Sequence, residues 1–352
     1  MKKFLEISAI FAILETEVIY PMKHAISTEG ELRPHVVTSD PVNAPGAFTM
    51  TRFCPMADGF GLYGEDQIVI IDPPDVIWES PVVPRSRKTL DEHIRYIQDN
   101  NIRKALVIAE DIAFLRQCPS LEEVRVIPPY SAATFDYSPL YDLPNLKVLN
   151  CQTIYGFKDK LLTQVDYSHF SRLESLYVCG KKGHLNLHTL KGLKELSFAQ
   201  GQPSSKTLTD LDVSSLVDLD LCQSPIQTLA GLENAKFLSK LVISYCRQLE
   251  DISALASIQQ SLTLLDIESC GKIKDFTVLN ELHNLEHLRL YGSNTLPNLT
   301  FLKQMPKLRT FTFTVNVMDG DLSLCMNVPY ASCRNKKHYN LKDADLPKRI
   351  RK

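Results

Sequence analysis

The chain has 352 residues, a formal net charge of −2 at pH 7, 44% hydrophobic residues and 23% charged ones. That balance is ordinary for a water-soluble globular protein and offers no global charge for holding nucleic acid or an anionic membrane. The nine cysteines are odd in number and lack the tight spacings of a disulfide or zinc framework, which fits a reducing, cytoplasmic setting.

The first segment, MKKFLEISAIFAIL, begins like a secretory signal, with Lys2 and Lys3 ahead of an apolar run. Glu6 interrupts that run, Glu15 and Glu17 close it, and no small-residue cleavage site follows. The run is also shorter than the roughly 20 residues of a membrane helix. The expectation is a packed N-terminal helix or strand, and the alternative is a cleaved signal ending near Ala25 on a secreted protein.

Pro21, Pro34, Pro41, Pro45 and Gly46 break residues 20–60 into irregular structure. A strand is predicted at Gln67–Ile71, between Gly64 and the Pro73–Pro74 pair. GFGLYG, with Gly59, Gly61 and Gly64, lacks the preceding strand and following helix of a dinucleotide or phosphate loop. Residues 1–88 are therefore assigned to an irregular, partly β N-terminal cap.

Thr89 and Asp91 can cap a short helix, TLDEHIRYIQDN, with Leu90, Ile94 and Ile97 on one face. Ile102, Ala105 and Val107 then mark a first repeat strand. Later repeats start at Leu121, Leu146, Leu173, Leu193, Leu216, Leu238, Leu262, Leu285 and Leu308.

The clearest lines are LSKLVISYCRQLEDISALASIQQS, LTLLDIESCGKIKDFTVLNELHN and LEHLRLYGSNTLPNLTFLKQMPK. They align Leu241 with Leu265 and Leu288, Ile243 with Ile267 and Leu290, and Cys246 with Cys270 and Ser293. Such a period marks a solenoid, because one unit cannot bury its apolar face without a stacked neighbour.

The pattern LxxLxLxxC/NxxL resembles the leucine-rich repeat superfamily, and segments such as LEDISAL resemble its internalin and protein-phosphatase-regulator class. The resemblance implies an α/β fold: a right-handed superhelical arc of about ten repeats of 22–24 residues, with parallel strands on the concave face. Repeats are assigned to residues 89–318, and a C-terminal cap with a basic tail to 319–352. That tail holds eight Lys and Arg against two Asp over 334–352, with Tyr339, Leu341 and Leu346 as apolar anchors.

Side chains alternate across a strand, so the residues between the leucines face outward. Asp218, Asp220, Asp266 and Glu268 then fall within three consecutive strands with only Lys240 between them. Such crowding favours a cationic partner. Tyr177, Tyr245 and Tyr291 add amphipathic surface of the kind enriched at hot spots, and His287 and Arg289 complete the candidate binding set.

The carboxylates lack an enclosing pocket for glycosidase or calcium chemistry. His184 and His188 have no third zinc ligand, and no base accompanies a cysteine nucleophile. The expectation is a non-enzymatic, monomeric protein-binding module of the bacterial cytoplasm. It would be an adaptor, regulator or toxin-neutralising partner that takes a basic protein on its concave face, with no cofactor, metal, nucleic acid or membrane. The alternative is a secreted, internalin-like recognition protein for a host or carbohydrate ligand.

Overall fold

The computed structural model describes residues 61–63, 67–72, 88–128, 135–151, 164–180, 183–201 and 203–349. The expectations for residues 1–60, including the signal-like segment, lie outside the described residues. The chain divides into two compact units, Met1–Thr163 and Gln164–Lys352.

In the first unit, β1 (Gly61–Tyr63) runs antiparallel to β2 (Gln67–Asp72). Strands β3 (Lys104–Ala109), β4 (Glu123–Ile127) and β5 (Val148–Cys151) then follow β2 in parallel. The parallel ladder thus already includes residue 67, inside the segment assigned to the N-terminal cap. Helix α1 (Leu90–Asp99) leads into β3. Thr89 caps it, and the reciprocal partner is Glu92: Thr89 Oγ1 accepts from the Glu92 N–H while the Glu92 carboxylate accepts from the Thr89 N–H. Asp91 sits in the first turn without that role. The buried face is His93, Ile94 and Ile97, whereas Leu90 is half-buried.

The second unit carries eight parallel strands in chain order: β7 (Ser175–Cys179), β9 (Glu195–Ala199), β10 (Asp218–Cys222), β11 (Lys240–Ser244), β12 (Leu264–Glu268), β13 (His287–Tyr291), β15 (Thr310–Phe313) and β17 (Tyr330–Cys333). Short pairs also form between β6 (Val165–Asp166) and β8 (His184–Leu185), and between β14 (Thr295–Leu296) and β16 (Asn316–Val317).

Every strand from β4 onward that a repeat leucine predicts begins two residues after that leucine. Leu176, Leu196, Leu219, Leu241, Leu265, Leu288, Phe311 and Ala331 stand in one column, each paired to the next. All are buried, and each large one contributes about 1.5–3 kcal/mol by leaving water. The ladder includes β17, beyond the residue 318 at which the repeats were expected to end.

The return path of most repeats is a short 3₁₀ turn, and a three-residue device recurs on eight of the return paths. Asp111, Asp136, Asp166, Asp212, Asp251, Asp275, Asn298 and Asp321 each accept a hydrogen bond from the backbone N–H two residues on. This Asx turn competes with continued helix and fixes where the chain bends. The residue between is always buried: Ile112, Tyr137, Tyr167, Val213, Ile252, Phe276, Leu299 and Leu322.

Beneath the strand ends, Cys246 and Cys270 are fully buried, and their thiols point at carbonyls of their own and the preceding repeat. Asn294, not the aligned Ser293, takes the next place. Its amide donates to the carbonyls of Cys270 and Ile273, at 3.0 and 2.9 Å, while Ser293 is exposed. An amide has two donors for two carbonyls and a hydroxyl has one.

Residues 334–349 fold over the last strand. The Ala331 N–H donates to the Pro347 carbonyl, and the Tyr339 hydroxyl bonds the backbone at both Val315 and Val317. Tyr339 and Leu346 are buried anchors, and Leu341 is half-buried. Gly320 takes a left-handed φ of 70°, directly under the His338 carbonyl, where a Cβ would collide. Several tail cations are used internally: Lys348 pairs with Asp343, Lys336 bonds Asn316, and Lys342 donates to carbonyls.

Candidate binding face

The outward residues of the second unit form three columns in register. The first runs Ser175, Glu195, Asp218, Lys240, Leu264, His287, Thr310, Tyr330. The second runs Tyr177, Ser197, Asp220, Val242, Asp266, Arg289, Thr312, Ser332. The third includes Cys222, Ser244, Glu268 and Tyr291. Neighbours in a column are one strand spacing apart, about 4.8 Å, so charges there act on each other directly.

That geometry changes the expected picture of unrelieved acids. Asp266 and Glu268 are buried, at 6% and 8% exposure, and Arg289 on the next strand serves both. Its guanidinium lies 2.8 Å from Asp266 and 3.3 Å from Glu268. The same guanidinium stacks 4.9 Å from the centre of the Tyr291 ring. The Tyr245 hydroxyl donates to Glu268 at 3.0 Å. Arg289, Tyr291 and Tyr245 therefore form one internal network with the two acids, rather than a set of free contact residues. Burial raises the Glu268 carboxyl above the usual range, Asp266 adds to it, and Tyr245 and Arg289 oppose it.

Tyr245 reaches this place because its backbone is left-handed, with φ 56°. Gln200, Gln223 and Ser269 share that conformation just past their strands. Each donates its N–H to the next strand: to Cys222, Ser244 and Tyr291 for the three, and to Glu268 for Tyr245. A left-handed non-glycine residue costs about 1–2 kcal/mol, which the ladder bond helps to offset.

Asp218 and Asp220 sit at the open end of the acidic run. Lys240 Nζ lies 2.7 Å from Asp218. Asp220, half-buried, is pushed up to about 7, first by burial, then by the charge of Asp218 against the relief from Lys240, with Asp266 adding to the rise. On the neighbouring strand, Glu195 is raised too, chiefly by burial, and it accepts a short hydrogen bond from the Tyr177 hydroxyl. His287 is exposed and shares a 2.8 Å hydrogen bond with Thr310, and partial burial lowers its affinity for a proton.

Glu195 was not singled out in the sequence, although its column places it beside Asp218. Ser244, buried between Cys222 and Glu268, was also passed over.

His184 is tied to the Tyr167 hydroxyl at 3.0 Å and to the Gly180 carbonyl at 3.3 Å, and burial pushes it down to about 4. Among the described residues, no group of three or more His, Cys, Asp or Glu could hold a metal ion. No helix among them is long and apolar enough to cross a membrane. A shallow recess lies past the strand ends, lined by Gln223, Ser224, Pro225, Tyr245, Arg247 and Gln248.

No protein-family profile matches the chain, and no curated protein does. Among solved structures it is similar to an internalin, InlF, of Listeria monocytogenes, at 16% identity and a TM-score of 0.43, over 68% of this chain and 77% of that one. It is also similar to the functional domain of InlJ from Listeria monocytogenes, which includes a cysteine ladder: 18% identity, TM-score 0.44, 65% of this chain and 56% of that one. A third is a leucine-rich-repeat protein of Leptospira interrogans, at 14% identity and a TM-score of 0.37, over 70% of this chain and 81% of that one.

Proposed function

We propose that this leucine-rich-repeat protein is a non-enzymatic binding module, and that the strand face of its second unit takes a protein partner presenting basic groups. The observation that carries this reading is the run Glu195, Asp218 and Asp220 on adjoining strands, with Lys240 as the neighbouring cation in register. A half-buried carboxyl crowded by another acid is relieved by an incoming ammonium or guanidinium, since that charge lowers its pKa and favours the ionised form. An open face of columns suits another protein surface better than a small ligand, which needs an enclosing cavity. The chain acts as a monomer in this reading.

The test is capture of partners from native cell extract by the full chain and by the double variant Asp218→Asn, Asp220→Asn. Both substitutions keep side-chain shape, so the variant should stay folded, with a melting temperature near or above that of the wild type, while a basic partner is lost. Capture by the wild type should also weaken from pH 8 to pH 6, as Asp220 gains its proton. Equal recovery by the double variant overturns the assignment.

A further inference from the structure

Just ahead of the strands, one position per repeat forms a rim on the second unit. It runs Glu174, Lys194, Val217, Ser239, Thr263, Glu286, Arg309, and from Lys194 onward each N–H donates to the carbonyl of the residue before it in this row. Both ends of this rim are closed by ion pairs, Glu174 with Lys194 at 2.7 Å and Glu286 with Arg309 at 3.2 Å. The middle, Val217, Ser239 and Thr263, carries no charge. In that gap Val217 is 40% exposed, and Phe237, two residues ahead of Ser239, is 67% exposed. A phenylalanine left in water forgoes the stabilisation that burying its ring would bring. Exposed aromatics that cluster with apolar neighbours are the anchors that interface hot spots use.

The gap adjoins the acidic columns. Val217 precedes Asp218 in the chain, and its carbonyl accepts from both Ser239 and Lys240. Over β9–β13 the outward columns hold five carboxylates, Glu195, Asp218, Asp220, Asp266 and Glu268, against the cations Lys240 and Arg289. On the same face the Ser244 hydroxyl is buried, at 3% exposure, and has no hydrogen-bond partner among the described residues. An unmet buried hydroxyl is a cost to the fold that a hydrogen-bonding group would relieve.

We infer that this rim and the acidic columns beside it form one docking surface for a protein segment that seats an apolar side chain on Phe237 and Val217 and a lysine or arginine on Asp218 and Asp220. The assignment rests on the strand-face reading above and narrows its partner from basic to basic-next-to-apolar. Charge complementarity selects the basic residue, and the uncharged gap between two ion-paired stretches selects the apolar one.

The experiment is selection of a random-peptide phage library on the full chain, with the selected peptides then titrated against wild type, Phe237→Ser, Val217→Thr and Asp218→Asn with Asp220→Asn. Selected peptides should carry Lys or Arg within a few positions of an aromatic or aliphatic residue. Phe237→Ser should weaken them about tenfold or more with melting temperature unchanged, and Val217→Thr should weaken them in the same direction. Peptides without the apolar preference, or full binding by both rim variants, overturn the inference. Loss of binding in the aspartate double variant alone would leave the strand-face reading standing and remove the rim. Loss in no variant, or no selection at all, would remove both. A wild-type dimer by sedimentation that Phe237→Ser dissolves would assign the patch to a second copy of this chain and would equally overturn the inference.

Discussion

Each unit builds a parallel strand ladder of its own residues, and the two treat its outward face in opposite ways. In the first, the central outward column is Val69, Leu106, Arg125 and Asn150, and all four are buried. Burial there pushes even the Arg125 guanidinium down to about 10. In the second, the same column is Tyr177, Ser197, Asp220, Val242, Asp266, Arg289, Thr312 and Ser332, and most of it is half-exposed and polar. A strand position fixes which side a residue faces, not whether water reaches that side. The second unit is therefore the one whose strand face is open to a partner.

The largest expected effect separates the two columns outright. Leu106→Asp should cost about 5 kcal/mol, combining a lost buried side chain with a carboxyl forced to stay neutral, whereas Thr312→Asp should cost under about 1 kcal/mol. Urea unfolding of each variant measures this, and similar losses at both positions would erase the distinction. A smaller effect tests whether the acids of the second unit depend on Arg289. Arg289→Met strands Asp266 and Glu268 and should cost about 2 kcal/mol at pH 8, less than for a fully buried pair because the guanidinium is partly exposed. That loss should shrink as pH falls and the raised Glu268 carboxyl takes up its proton, and a pH-independent loss would mean that packing, not charge, is what Arg289 supplies.

The smallest concerns Asp220. Its folded pKa lies above the value of about 4 for an unfolded aspartate, so the folded state holds the proton more firmly. Its contribution is fully present below pH 4 and is lost as pH rises towards 7. Allowing for solvent access, wild-type stability should fall by about 1–2 kcal/mol across that window, and Asp220→Asn should flatten the slope. Thermal melts at intervals from pH 4 to 8 check it, and an unchanged slope in the variant would place Asp220 in water.

Much of the fold was legible because stacking in register needs only a constant step from leucine to strand. The step of two residues holds from Leu121 to Leu308, through loops of unequal length. The Asx turns were equally present in the letters, as DIS, DFT, NLT and DLS, although a short 3₁₀ turn has no helical period to mark the return path around them. Alignment alone put Ser293 under Cys270; the donor count of an amide put Asn294 there. Of the candidate site, the columns were readable and their internal pairing was not. Asp266 and Arg289 stand side by side in one column, and only their approach to 2.8 Å reveals a shared pair.

What the sequence determined by itself is the repeat: its leucine columns, its approximate length and the side each residue faces, because those follow from periodicity and strand geometry. The tertiary structure alone decided which outward residues are buried, which acids already have a cation, and that Phe237 stays in water. Those outcomes depend on neighbours some 20 residues away in the chain, one repeat apart, and no local pattern reports whether such a neighbour covers a side chain or leaves it bare.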